Sequence, residues 1–574
     1  MEFNGVMNNI LFGAQCHQFL SSNCTNYTTF FAHKQENERV FFKKIYNLKK
    51  IVHFSKKTID IGSTEKYNYI KRRNVYMKRR ISFLIMLTTI VSMMGCGSAG
   101  KEPNIKVKEG TPVYEDNAHI ERGAYSMPAR ADYLYPDSVN GARDESRVGW
   151  ASNINEQEFR DYKDAGFTFM LTEYNGDWEE NEKFSESNLY TTMELAEKVG
   201  IPVIVHTGPL ERYTATDDFR ISDENKAYLQ KMVSTLSTYQ MFRGFSFKDE
   251  PKAEFAPTFK AYKEYLLTLK PDAMFFGSFH PIYGSAHVSF SSNNQNAAEE
   301  YSKYIDTYLE NMNSFTYDYY PLRVDGSRKV NFIMDSFYEN LELVATKAKE
   351  HGNAKIGLTI QSSSYGQPGM QDSSSHARTI STKEDIGFQM YSALAYGAKE
   401  FGYFTYWLHW GTTDPTAETF YDAMVMPPET NGGPGVKTDA YYAVQAMNQE
   451  LEKFDHVMLN FNWQGTMAVA PEGKTKSMVL GKISDYKNER VKEVSVSEET
   501  IIGCLKDGEG YDGYMIVNAT EPSEGKSDKV TISFYKATKA IAYIHGEEQT
   551  ITLENGSYTF EIGAGEGVFV IPIV

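Results

Sequence analysis

Arg243-Gly244-Phe245-Ser246-Phe247-Lys248-Asp249-Glu250-Pro251 runs from an apolar strand into two adjacent carboxylates and a proline, and a helix-like segment follows from Ala253. A strand that stops at acidic residues and hands over to a helix is one unit of an alternating β/α fold. In a barrel of such units the C-terminal strand ends carry the reactive groups. Pro251 stops the strand, and the clash with its ring biases Glu250 toward extended backbone. Taken alone, the stretch equally suits an ordinary charged strand-to-helix turn, so the rest of the chain decides.

Outward from it, apolar strand-like runs end near Ser126, Glu173, His206, Glu250, His280, Asp318, Gln361 and Trp407, with amphipathic segments between them. The segment from Glu156 has Asn155 as N-cap, Glu158 as capping-box partner and Gly166 to end it. Leu189 to Val199 closes at Gly200, and Tyr338 to Glu350 closes at Gly352. Eight strand–helix units over residues 120–455 predict an α/β chain folded as a (β/α)8 TIM barrel. An open doubly wound sheet is disfavoured because no glycine-rich phosphate loop follows the early strands. Segments 281–297, 362–383 and 408–437 are rich in Ser, Gly, Asn and Pro, and each follows a strand end, where long loops are usually functional.

From about residue 456 the apolar period shortens to two. Thr466–Ala470, Ser477–Leu480, Gly513–Val517, Val530–Phe534, Ala540–Ile544 and Gly567–Ile571 read as strands, with turn signals at Asn555-Gly556 and Gly563-Ala564-Gly565. Residues 456–574 are therefore expected to form a C-terminal antiparallel β-sandwich, read first as a structural cap on the barrel.

At the other end, Met77-Lys78-Arg79-Arg80 precedes the apolar run Ile81 to Val91 and then Gly95-Cys96. That order is a secretory signal, too short for a comfortable membrane span. It resembles a bacterial lipoprotein signal over residues 77–96, with Cys96 lipidated and residues 97–119 as a linker. Residues 1–76 are basic, Asn-rich and aromatic without periodicity, and read as an upstream gene-model artefact. Residues 97–574 carry 44 basic and 70 acidic groups, net −26 against −16 for the whole chain. Such a surface repels nucleic acid and anionic membrane, leaving membrane contact to a lipid anchor. The expectation is an outer-membrane lipoprotein facing the periplasm or the cell surface. Cys16, Cys24 and Cys96 fall in the upstream or processed part, so Cys504 stands alone and no disulfide framework is expected.

Side by side, the strand ends carry Glu173, His206, Asp249, Glu250, His280, Asp318 and Gln361, with Tyr317, Tyr319, Tyr320, Tyr403, Tyr406, Trp407 and Trp410. Trp150 and Trp178 fall in the loops after the first two strands. Any single Trp suits packing. Together, aromatics beside carboxylates suit a sugar ring, whose C–H faces stack on aromatic planes while its hydroxyls need polar partners. No phosphate loop, HExxH, nucleophile elbow or redox motif competes, and no cofactor is expected. His206 and His280 come singly on successive strands, which makes a metal-assisted hydrolase a weaker third reading; no metal is expected.

Through Gly244 to Pro251, Tyr317-Asp318-Tyr319-Tyr320-Pro321 and Gly397-Ala398-Lys399-Glu400-Phe401-Gly402-Tyr403-Phe404, residues 120–455 resemble glycoside hydrolases of the clan A superfamily. The whole processed chain resembles a barrel-plus-sandwich lipoprotein of glycan-degrading gut bacteria. The resemblance implies a glycosidase acting on a plant or host oligosaccharide or polysaccharide, with Glu250 in the place of the acid/base. It also implies a nucleophilic Glu ending the seventh strand, where this chain has Gln361. An amide is a poor nucleophile and cannot act as a general base. The second carboxylate is then Asp318, or Glu173 or Asp249, or the site binds a sugar without hydrolysing it.

Acetal hydrolysis asks one carboxyl to protonate the leaving oxygen and another to attack or to activate water. The favoured catalytic pair is Glu250 and Asp318, with Glu173, His206, Asp249, His280, Tyr320, Gln361, Trp178, Trp407 and Trp410 contacting the sugar. The alternative is a non-catalytic glycan-binding protein on the same scaffold. N-terminal sequencing or mass of the native precursor should find translation starting at Met77, and the mature protein should carry a lipidated Cys96 as first residue. An abundant product retaining residues 1–76 overturns that start.

Overall fold

The computed structural model describes residues 105–129, 150–172, 178, 183–206, 220–284, 297–325, 330–366, 375–408, 419–420 and 422–574. Cys96, Glu173 and Trp410 lie outside the described residues. Among those described, eight parallel strands alternate with eight helices: β1 (Glu121–Ala124), α1 (Glu156–Asp164), β2 (Met170–Leu171), α2 (Asn188–Val199), β3 (Val203–Val205), α3 (Asp223–Leu236), β4 (Phe242–Ser246), α4 (Ala256–Leu269), β5 (Met274–Phe276, resuming at Ser278–Phe279), α5 (Ala297–Met312), β6 (Ser314–Tyr319), α6 (Phe337–Glu350), β7 (Lys355–Gln361), α7 (Lys383–Ala395), β8 (Glu400–Phe404) and α8 (Asp439–Glu452).

Polar side chains start these helices by taking up otherwise unbonded N–H groups. Ser187 caps α2, Ser222 caps α3, and Thr382 with Asp385 makes a reciprocal capping box on α7. Asn155 caps α1, but the expected partner Glu158 does not reach back. It is buried, and its carboxylate accepts the N–H of Gly435 at 2.7 Å instead.

The strands pair in chain order in two parallel ladders, one of β2, β3, β4 and the first part of β5, the other of the second part of β5, β6, β7, β8 and β1. The ladders meet at Gly277, where β5 changes partner, and between β1 and β2, where Thr168 N–H donates to Arg122 O at 2.8 Å. Close pairing explains Gly244 in the deciding stretch: an ideal Cβ there would sit 1.9 Å from Met274 O, so only glycine lets β4 lie against β5. At the N-terminal strand ends Lys355 Nζ contacts Glu400 and lies 3.4 Å from Glu121, while Thr316 Oγ1 donates to Glu400 at 2.5 Å.

The loops beyond the opposite ends build structure of their own. Thr419–Phe420, Tyr365–Gly366, Ser375–Ala377, Leu322–Asp325 and Val330–Ile333 form a five-stranded sheet in that order, where the sequence suggested irregular loops.

The C-terminal part is antiparallel, as its period of two requires. Its strands are β9 (Phe461–Val469), β10 (Val491–Ser495), β11 (Thr500–Asp507), β12 (Asp512–Asn518), β13 (Asp528–Phe534), β14 (Lys539–Ile544), β15 (Glu547–Thr552), β16 (Ser557–Ile562) and β17 (Gly567–Ile573). A six-stranded sheet, ordered β9-β11-β12-β17-β14-β15, faces a three-stranded one, β10-β13-β16. Ile502, Ile516 and Val570 of the first share a core with Ile532, Phe560 and Ile562 of the second. The expected strand at Ser477–Leu480 is a turn. Ser477 Oγ accepts Leu480 N–H at 3.3 Å, Ser477 O accepts Gly481 N–H, and Met478 points into solvent.

The other face of the six-stranded sheet lies on α7, which is buried continuously from Asp385 to Ala395. Ile501, Leu505, Met515, Val517, Phe569 and Ile571 thereby join the same apolar cluster as the parallel strands. Among the described residues no helix is long and apolar enough to cross a membrane.

One buried cation fastens the parts together. Arg378, after the Ser375–Ala377 strand, reaches Asp385 of α7 at 2.5 Å and Glu521 of the C-terminal part at 2.7 Å. All three are nearly excluded from solvent. Arg378→Met strands two buried carboxylates and should destabilise the protein by about 3–5 kcal/mol, read by urea denaturation. A change under about 1 kcal/mol would place the junction's stability elsewhere.

Candidate active site

The end of β4 departs from its local preference. The proline after it should hold Glu250 extended, yet Glu250 has φ +42°, in the left-handed region. Tertiary bonds override the preference: Glu250 N–H donates to Ser278 O at 2.9 Å, and its Oε1 lies 3.3 Å from His280 Nδ1. Strained backbone of this kind concentrates where a side chain must be aimed. Here it aims a carboxyl group whose side chain is 43% exposed toward its neighbour on β6.

That neighbour is Asp318. Successive strand residues point to opposite faces, so Tyr317 and Tyr319 turn outward into the helices while Asp318 turns toward the Glu250 end. Tyr319 meets Phe337 at 5.4 Å and Ser336 Oγ at 2.7 Å. Asp318 is only 8% exposed, and its Oδ1 is buried with no hydrogen-bond partner among the described residues. Burial first, then the charges of Glu250 and Asp249, push its pKa well above the usual carboxylate range. Neighbouring carboxyls cannot both ionise cheaply, and burial disfavours the charged form of Asp318 most.

Asp249 is solvent-exposed and accepts Tyr125 O–H at 3.4 Å. His206 is buried on β3's end, with Nδ1 3.0 Å from Ser246 Oγ and its N–H on Thr172 Oγ1. Burial, and then the charge of Lys248, lowers its pKa to about 4, so the ring is neutral at pH 7. Burial first, and then the charges of Asp318, Tyr283, Asp249 and Glu250, raise the Tyr320 hydroxyl pKa, and its ring sits 5.9 Å from Phe404. Phe404 in turn is 5.9 Å from Tyr125. Glu250, Asp318, Asp249, His280 and Tyr320 thus come together, with His206 and Tyr125 alongside.

Other expected contacts go elsewhere. Gln361 is buried and its amide is committed to backbone, accepting from Leu322 N–H and donating to Leu322 O and Arg378 O at 3.0–3.1 Å. Trp407 is 1% exposed, wedged against Gly435 and bridged to Val425. Trp178 is 5% exposed, packed on Phe184 with Lys231 Nζ over its ring. Tyr403 bonds Asn448 of α8, and Tyr406 packs on Tyr162. These large aromatics fill the layer between strands and helices rather than the rim.

The sequence reading missed Tyr125, one residue past β1, and Tyr283, after the second part of β5. Tyr283 is 40% exposed, stacks edge-on to Tyr319 at 5.0 Å, and has its hydroxyl within reach of Asp318's charge. Their signal was a tyrosine within four residues of a strand end, which is common in this chain of 39 tyrosines. Among the described residues no group of three or more His, Cys, Asp or Glu is arranged to hold a metal ion.

No protein-family profile matches the chain, and no curated protein matches it in sequence. Solved structures do. An Anoxybacillus alpha-amylase matches at 12% identity and TM-score 0.43, over 79% of this chain and 98% of its own. A glycoside hydrolase family 5 protein from Bacteroides vulgatus matches at 12% and 0.42, over 83% and 92%. A family 51 alpha-L-arabinofuranosidase from Bifidobacterium longum matches at 10% and 0.38, over 82% and 98%. At such distances the likeness does not settle what this site does; its own chemistry must.

The raised Asp318 pKa fixes a sign. The folded chain holds a proton that the unfolded chain releases, so this group's contribution to stability is full below about pH 4 and is lost as pH rises through the raised value. Urea denaturation from pH 4 to 9 should show that decline, about 1.4 kcal/mol for each pH unit crossed on the way. Asp318→Asn should flatten it. A decline of equal slope in Asp318→Asn would assign it to another group.

Proposed function

We propose that the eight parallel strands close as a (β/α)8 barrel and that the chain is a glycoside hydrolase, acting on an oligosaccharide or polysaccharide through Glu250 and Asp318. The observation that carries the reading is the pairing of an exposed carboxyl, Glu250, with a buried neighbour, Asp318, whose pKa burial and then the Glu250 charge raise, at the C-terminal strand ends. A pair sharing one proton offers an acid and a carboxylate at the same pH, which acetal cleavage requires. Glu250, the member open to solvent, delivers the shared proton to the leaving oxygen as the glycosidic C–O bond breaks. Asp318 stores that proton behind it. Water then adds to the anomeric carbon, its proton returning to the ionised pair.

The spacing of the two carboxyls around a bound sugar would decide the outcome, about 5–5.5 Å for retention and about 6.5–9.5 Å for inversion. Tyr320, Tyr125, Phe404 and Tyr283 supply aromatic surface beside the pair, and Asp249 and His280 supply hydroxyl partners. Cys96 remains our proposed lipid anchor, placing the enzyme at the outer membrane.

The test is a screen of plant and host glycans for release of reducing ends, followed by amide variants. Glu250→Gln should lower turnover by about 10²- to 10⁴-fold, and Asp318→Asn should also lower it, each leaving glycan binding in place. Unchanged turnover in Glu250→Gln sinks the assignment. Tight glycan binding without turnover by the native protein would identify a binding protein instead.

A further inference from the structure

Helix α5 carries Tyr301, Tyr304 and Tyr308 at i, i+3 and i+7, so they line one face, and all three are fully buried. Their hydroxyls tie the helix to the two turns that carry Glu250 and His280, directly from Tyr304 and Tyr308 and through Asn340 from Tyr301.

Tyr304 O–H donates to Pro251 O at 2.7 Å, one residue after Glu250, and accepts His280 N–H at 3.3 Å. Tyr308 O–H donates to Lys252 O at 2.7 Å. Tyr301 accepts from Asn340 Nδ2 at 3.2 Å, and Asn340 Oδ1 accepts Ile282 N–H at 2.6 Å. The turn after β4 and the turn after β5 are thus tied to the same helix. Tyr304 alone bonds both, using its donor and an acceptor site at once.

The tie matters because Glu250 sits in a backbone conformation its own residue type and Pro251 do not favour. Something must hold the turn, and the bonds on either side of Glu250 are Ser278 O on its own N–H and Tyr304 on Pro251. The imidazole facing Glu250 is hemmed in too: a Cβ on Gly284 would lie 3.1 Å from His280 Nδ1.

We propose that Tyr304 is a positioning residue, holding Glu250 beside Asp318 by anchoring the backbone of Pro251 and His280 to α5. The inference rests on the reading of Glu250 and Asp318 as the working pair. Asp318 is faced by Glu250 and Asp249 from β4's end, Tyr283 from the turn after β5, Tyr320 on its own strand, and Tyr301 and Tyr304 from α5. Of these, Glu250 follows the turn that Tyr304 anchors through Pro251.

The experiment compares wild type, Tyr304→Phe and Tyr338→Phe in the full chain, following side-chain carboxyl titration by ¹³C NMR, with Asp318→Asn to assign the signal. Tyr338 is an equally buried tyrosine whose hydroxyl meets Ser392, away from the carboxyl pair, and controls for loss of a buried hydroxyl. Both Phe variants should fold, with similar falls in thermal midpoint. Only Tyr304→Phe should lower the Asp318 midpoint, by about one pH unit or more as Glu250 moves away. If Tyr304→Phe does not fold, Tyr304→Trp and Tyr308→Phe carry the same comparison, the latter with a smaller shift. An Asp318 midpoint in the Tyr304 variants equal to wild type overturns the proposal. On any glycan that the native protein cleaves, Tyr304→Phe should cut kcat at least tenfold with KM within threefold; an equal fall in Tyr338→Phe would reduce Tyr304 to a structural role. If the native protein cleaves nothing, the glycosidase reading fails while the titration still decides the positioning role.

Discussion

The buried carboxamide of Gln361 joins more of this molecule than any group at the strand ends. It presents an acceptor to Leu322 N–H and donors to Leu322 O and Arg378 O, while its backbone exchanges two hydrogen bonds with the side chain of Gln389. A carboxylate of the same shape would turn acceptors toward two carbonyl oxygens, each unmet bond costing about 1–3 kcal/mol. The amide at the end of β7 is therefore an architectural requirement of this chain. It seats the small sheet over the strand ends and sets Arg378 where it meets Asp385 and Glu521. The position that the glycoside hydrolase resemblance reserves for a nucleophile is occupied by a fastening.

The two ends of the parallel strands use the same residue types to opposite effect. At the N-terminal ends Glu400 and Glu121 face Lys355, and Thr316 takes up a remaining oxygen of Glu400. Acids matched with a cation and a hydroxyl are settled. At the C-terminal ends Asp318 is buried and faces two further acids, and burial first and then their charges raise its pKa. The fold thus pairs its buried acids with a cation at one end of the strands and leaves them facing one another at the other.

Much of this was legible. Alternation of apolar runs with capped segments located all eight strand–helix units, because period and caps are local properties. The carboxylates at the ends of β4 and β6 followed from strand termination. What failed depended on direction and partner. Tyr317, Tyr403, Tyr406 and Trp407 lie at strand ends but face the helices, and only the pleat and the packing decide which way a strand-end aromatic turns. Trp178 failed for a similar reason, since a loop residue can fold back onto a helix. The backbone of Glu250 defied its proline because bonds to β5 outweigh a pre-proline preference. β10, β11, β15 and β16 escaped notice: exposed faces fill β10, β15 and β16 with Lys, Glu, Gln and Thr, which blurs the apolar alternation, while β11 is buried on both faces and has none to show.

Helix α7 has no polar side to spare. From Ile386 to Ala395 it is enclosed by the parallel strands and by the six-stranded sheet, with Gly387 so near Gly565, and Ala395 so near Gly503, that a methyl group on any of these glycines would overlap backbone. The change in sequence character near residue 456 therefore does not mark a place where the gene could be cut. A fragment ending there would leave one side of α7 bare, and a fragment beginning there would expose a sheet built to be covered twice. Such halves cannot be exchanged with other proteins as independent modules, and any ancestor that acquired the second half had to reshape the first to receive it.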